Sequence, residues 1–200
     1  MEVHAMTSII QPVKPGESKD PEVNKLLQDA VEGWYQDSAM FGLMGRQPDL
    51  LKTIVPVFEA FFMAGRIPPH LLELMRLKTG EINRCAYCST VRVGMLRDDV
   101  APKEDAVFGE IDASSLPRAE YLAIKLAEYI AGDPNYIPDE FYDELKTEYS
   151  EDEIMELTFA CSIFNFGNKF NITMRLDMAE ESPYDKGMTY PYVPKEVANA

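Results

Sequence analysis

The sequence predicts an all-α protein. Apolar residues recur at three- and four-residue spacing in segment after segment. Prolines, glycines and capping residues mark the ends of those segments. No stretch keeps the two-residue alternation of a half-buried strand. The first helix is expected to start at Asp20-Pro21-Glu22, a capping acid followed by a proline whose missing N–H does no harm there. Val23, Leu26, Leu27, Ala30 and Val31 give it one apolar face. A second helix opens at Pro48, with Pro56 as a possible kink, and "GRIPPH" separates it from a third that starts at Pro68. "LPRAEYLAIKLAEYIAG" and "IPDEFYDELKTEY" supply two more. "SEDE" at 150–153 is a Ser-x-x-Glu capping box that opens a long helix to about Leu176.

The length of 200 residues suits one domain with a substantial core. Hydrophobic residues make up 46% and charged residues 26%, ordinary globular proportions. The net charge of −15 sets the chain against phosphate backbones and anionic bilayers, so neither nucleic acid nor membrane is an expected partner. The best apolar run, "IVPVFEAFFMAG", is too short to span a bilayer and carries Glu59. The N-terminus has neither the basic start nor the sustained apolar stretch of a secretion signal, which places the protein in the cytoplasm. Residues 1–19 read as a flexible arm, 20–178 as the helical domain, and 179–200, with Pro183, Gly187, Pro191 and Pro194, as an extended tail. The helix after Ser150 carries Ile154, Met155, Leu157, Phe159, Ile163, Phe164, Phe166 and Phe170, apolar on nearly every side. That pattern predicts burial against a second subunit and hence a homo-oligomer.

"EINRCAYCSTVRVGM", at 81–95, holds two of the three cysteines. Metal is a poor explanation. A closed zinc site wants four ligands, and only the isolated Cys161 and the histidines His4 and His70 remain to complete one. Redox chemistry suits the spacing: at the first turn of a helix two sulfurs three residues apart can meet, one attacking and the other resolving. Two small core residues are the alternative, because a free cysteine packs like a small hydrophobe. On a continuous helix Glu81, Cys85, Cys88 and Arg92 would share one stripe. Arg92 would then favour a Cys88 thiolate one turn away, and the carboxylate could take up a proton. A bend at Gly80 would break that stripe.

"PPHLLELMRLKTGEINRCAYC" resembles the core of the carboxymuconolactone decarboxylase / AhpD-like alkylhydroperoxidase superfamily. The shared pattern falls here on Glu73, Asn83, Cys85, Tyr87 and Cys88, and the resemblance runs over residues 40–177. It implies an AhpD-like helical bundle that forms trimers or larger rings such as hexamers. It implies too that Cys88 is the peroxidatic thiol, Cys85 the resolving thiol and Glu73 part of a proton relay. One position departs from the pattern. The relatives place a histidine four residues after the second cysteine, whereas this chain has Arg92, which stays charged and relays no proton at neutral pH. His70, one turn before Glu73, is a candidate replacement; a surface position at a helix start is its ordinary role.

The expected function is therefore a cofactor-free thiol peroxidase that reduces hydroperoxides through Cys88 and Cys85 and is regenerated by a thiol reductant. Two alternatives stand beside it. One is a lyase, isomerase or hydrolase acting on a small carbonyl acid or lactone, with Glu73 or His70 as acid/base and Arg92 holding a carboxylate. The other is a thiol redox sensor. Asn165, Asn168 and Asn171 on the last helix are expected to line a polar pocket or, preferably, to bond across subunits. Trp34, Tyr35, Phe58, Phe61 and Phe62 are core residues or the wall of an apolar pocket.

Overall fold

The computed structural model describes residues 8–176, and those residues contain helices and no strand. Residues 1–7 of the expected arm, the last two residues of the expected domain and the whole of the expected tail, 179–200, lie outside them. α1 (Pro21–Glu32) begins as the sequence indicates, with the Asp20 carboxylate accepting from the backbone N–H groups of Glu22 and Val23. α2 (Ala39–Met44) is a short buried turn, and α3 (Pro48–Ala64) runs through Pro56 without interruption. α4 (Pro69–Ile82) is the axis of the molecule: every residue from Leu71 to Gly80 is buried. It packs chiefly on α8 (Arg118–Ala131), and also on α10 (Glu151–Met174) and α5 (Ala86–Thr90). Between α5 and α8 the chain passes through two one-turn helices, α6 (Arg97–Val100) and α7 (Glu104–Val107), which no long periodicity foreshadowed. α9 (Asp139–Glu148) closes the far side of α8.

Three polar ties fix how these helices meet. Ser150 and Glu153 form the reciprocal capping box at the start of α10. Glu156, 7% exposed, accepts from the N–H groups of Arg66 and Ile67, so the α3–α4 turn is anchored to α10. Asn83, the residue after α4, donates its amide to Asn165 Oδ1 (2.6 Å) and Asn168 Oδ1 (3.0 Å) on α10. The asparagines preferred as cross-subunit partners thus bond inside one chain. The expected loose arm also needs correction over residues 8–19. Ile9 N–H donates to Met174 O, Val13 N–H to Gly42 O, and Arg46 Nε to Gln11 O, which lays this segment along the domain. Lys78 is fully buried and donates to Gly109 O (2.6 Å) and Glu81 Oε2 (2.9 Å), tying α4 to the segment after α7. No described helix is long and apolar enough to cross a membrane.

Candidate active site

The cysteine pair sits where the chain turns back on α4. Asn83 ends that helix, Arg84 adopts a left-handed φ of 57°, and Cys85 N–H returns to Gly80 O. The bend expected at Gly80 is absent, since α4 runs through it unbroken; the glycine instead lets α5 approach. A Cβ there would stand 3.1 Å from both the Cys88 carbonyl carbon and the Ser89 nitrogen. Cys85 caps α5, its Sγ accepting from Cys88 N–H at 3.2 Å, and the two sulfurs are joined in a disulfide. Cys85 is fully buried. Cys88, 4% exposed, is the one that lines a cavity. Cys161 is buried apart from them in α10, and burial pushes its thiol pKa far up.

Glu73 is close to this turn but already engaged. Its carboxylate, 1% exposed, takes both Nε and Nη2 of Arg76 at 2.6 Å and the Val93 N–H at 3.0 Å. Arg76 also donates to the carbonyls of Cys88 (2.8 Å) and Val91 (2.7 Å). Burial works against the Arg76 charge, but Glu73 outweighs it and fixes the guanidinium as a cation. Sequence reasoning missed Arg76. The signal was present in the i, i+3 spacing of an acid and an arginine on a segment that is otherwise apolar on its inner faces.

The remaining sequence candidates lie elsewhere. α5 ends at Thr90 and Val91 is extended, so the stripe from Glu81 to Arg92 is broken on both sides of the cysteines. Arg92 points to Glu104 (Nε–Oε1 2.7 Å) and to the carbonyls of Ser89 and Val91, not to the sulfur. Burial lowers the Arg92 pKa and raises that of Glu104, each opposed by the charge of the other. His70 lies 3.5 Å from Glu120 on α8, its side chain about one-third exposed (32%), and does not reach the cavity wall. Glu81 accepts from Lys78 and from Gly109 N–H. Among the described residues no group of three or more His, Cys, Asp or Glu side chains is placed to hold a metal ion.

The cavity and the open solvent at its mouth together span about 350 Å³. Its wall is mostly apolar: Met40, Phe58, Phe62, Phe164 and the bare backbone of Gly167. The aromatic cluster of α1–α3 therefore serves as core and wall together. Four polar side chains besides Arg76 reach it: Tyr35, Tyr87, Asn168 and Asn171. Tyr87 donates its hydroxyl to Asp37 and also hydrogen bonds with Tyr35. Burial, followed by the neighbouring Tyr35 and Asp37, holds the Tyr87 pKa well above the usual phenol range, so Tyr87 stays protonated. Asn171, 1% exposed, donates Nδ2 to Cys88 Sγ at 3.4 Å. No sequence signal marked Asp37, which meets the site only through Tyr87. Asn171 was named with Asn165 and Asn168, with a polar pocket as the less favoured reading, and its contact with Cys88 arises only through tertiary packing.

No family profile matches the sequence. The debrominase Bmp8 in its apo form superposes with a TM-score of 0.74 over 88% of this chain and 95% of that one, at 21% identity. The AhpD core of an uncharacterized peroxidase-related protein from Ralstonia eutropha JMP134 superposes with a TM-score of 0.69, covering 81% and 87%, at 13% identity. The chain has the AhpD-like fold. A cysteine-to-alanine variant of Bmp8 in complex with 2,3,4-tribromopyrrole shares the AhpD-like fold too, with a TM-score of 0.71, 21% identity and coverage of 84% and 90%. In sequence, the uncharacterized protein YdfG of Bacillus subtilis (strain 168) is 26% identical over 133 residues, 64% of this chain and 88% of that protein.

The Glu73–Arg76 pair gives a direct test of how the cysteine turn is held. Glu73→Gln leaves a buried guanidinium without its counter-charge and is expected to cost about 3–5 kcal/mol of stability. Arg118→Gln, which breaks a pair with Glu144 that is half exposed on both sides, is expected to cost less than about 1 kcal/mol. Urea unfolding of the two variants measures the difference, and equal effects would remove the structural role given to Glu73.

Proposed function

We propose that this chain is an enzyme, a cofactor-free thiol peroxidase that reduces a hydroperoxide through Cys88 with Cys85 as the resolving thiol. The observation that carries this reading is the asymmetry of the pair: Cys88 faces the apolar cavity under the Asn171 amide, while Cys85 is bonded behind it and closed off. In the reduced protein the Cys88 thiolate attacks the terminal peroxide oxygen, an S–O bond forms and the O–O bond breaks. The leaving alkoxide takes a proton and departs as an alcohol. The Cys85 thiol then attacks the Cys88 sulfenic acid, the disulfide forms and water leaves. A dithiol reductant, as found in a reducing cytoplasm, restores both thiols by exchange and is itself oxidised.

The proton cannot come from a histidine at position 92, and Glu73 is taken up by Arg76. Tyr87 and Asp37 offer the replacement: a neutral phenol on the cavity wall, hydrogen-bonded to a half-buried carboxylate. The carbonyl-acid alternative loses its anchor, since the Arg92 guanidinium is committed to Glu104 and two carbonyls. The likeness to a debrominase favours a second reading on the same cysteines, reductive removal of a substituent from a compact ring.

The reduced protein, exposed to hydrogen peroxide or cumene hydroperoxide, is expected to lose two thiols together. Peptide mapping should find Cys85 linked to Cys88 and Cys161 free, and added dithiol should sustain peroxide consumption. A link to Cys161 would sink the dithiol reading. Oxidation without turnover would favour a sensor, and no reaction would return carbon chemistry to first place. Gly167→Ala sharpens the test. Its new Cβ would meet only Met40 Sδ at 3.9 Å, so the helix gains up to about 1 kcal/mol while the cavity narrows. Cumene hydroperoxide should slow more than hydrogen peroxide, and equal rates would move the substrate to another surface.

We further propose a homo-oligomer, trimer or hexamer. α10 leaves Met155 60%, Phe159 50% and Phe166 46% exposed along one face, an apolar strip of the kind that subunits cover. Light scattering at low micromolar concentration checks this, and a stable monomer would overturn it.

A further inference from the structure

We infer that the cavity at Cys88 selects neutral, compact, apolar ligands that carry one hydrogen-bond donor, and that Asn171 is the residue that reads the donor. Asn171 Oδ1 is buried and has no hydrogen-bond partner, the one such side-chain atom among the described residues. A buried acceptor left unpaired costs about 1–3 kcal/mol, a penalty that a ligand donor removes.

Most of the other hydrogen-bonding groups on the wall are already matched. Arg76 divides its donors among Glu73, Cys88 O and Val91 O. Tyr87 donates its hydroxyl hydrogen bond to Asp37 and pairs with Tyr35, and Asn168 Oδ1 accepts from Asn83 Nδ2. The buried side-chain atom left without a partner is the Asn171 acceptor, in a setting of Met40, Phe58, Phe62 and Phe164. An O–H or N–H group satisfies it, whereas a carboxylate meets an amide oxygen and a guanidinium already neutralised by Glu73.

The orientation of the Asn171 amide follows from the same contacts. Its Nδ2–H end faces Cys88 Sγ, the only arrangement in which the amide stabilises a thiolate. Oδ1 is the other end of the same amide, so a donor bound to it is held on the residue that also contacts Cys88 Sγ. The inference takes Cys88 as that atom and so rests on the function proposed above.

The test uses the oxidised full-length protein, and needs no turnover. Benzyl alcohol, ethylbenzene and benzoate, nearly equal in size, are titrated and followed by NMR. Benzyl alcohol should bind about tenfold more tightly than ethylbenzene, the gain from one hydrogen bond to a buried acceptor, and benzoate should bind no better than ethylbenzene. Asn171→Leu, of similar volume, should keep ethylbenzene binding and abolish the preference for the alcohol. Retained ethylbenzene affinity doubles as the check that this variant is folded. Equal affinities in the parent protein, tighter binding of benzoate, or a preference that survives Asn171→Leu would each overturn the inference. A protein that prefers the alcohol but consumes no peroxide keeps the selectivity and loses the peroxidase reading; active protein with no preference does the reverse.

Discussion

The geometry of this site depends on one buried ion pair, Glu73 with Arg76. A five-residue helix such as α5 cannot satisfy its own terminal carbonyls. Arg76 does so from outside, donating to Cys88 O and Val91 O, and Glu73 collects the Val93 N–H just beyond. Removing two charges from water is expensive, and the pair repays it only because five hydrogen bonds surround it. Its role is therefore specificity of place: it holds the cysteine turn against α4 at a separation that Gly80 alone permits.

The same principle runs through the rest of the interior. Lys78 with Glu81 and Glu128, and Arg92 with Glu104, are likewise charges buried next to opposite charges. Lys78, through Gly109 O, fastens the long segment between α5 and α8 to the central helix, and Arg92 with Glu104 ties two parts of that segment to each other. With the cations so matched, the cavity at Cys88 is left nearly neutral and largely apolar despite the strong negative charge of the whole chain. The acidity belongs to the surface, and the cysteine pair sits away from it.

Much of the fold was legible because it is local. Asp20 and Ser150 announce their helices through caps that operate within three residues, and α8 through a stripe of fourteen residues. Cys85, Cys88 and Glu73 were legible through spacing and resemblance. α2, α6 and α7 were not, since helices of four to six residues are too short for periodicity to declare. Arg92 misled for a definite reason: helical spacing carries meaning only while the helix lasts, and α5 stops at Thr90. Asn171 lies 83 residues from Cys88 in sequence, and no local rule connects them.

Trp34, the one tryptophan in the chain, stacks on Phe62 with ring centroids 5.4 Å apart, and Phe62 forms part of the cavity wall. Its indole thus stands one ring away from the cavity that Cys88 lines while taking no part in the polar machinery. The protein carries its own optical gauge: what enters the cavity lies one ring from the single indole of the chain, whose emission is read in the unmodified protein without a label.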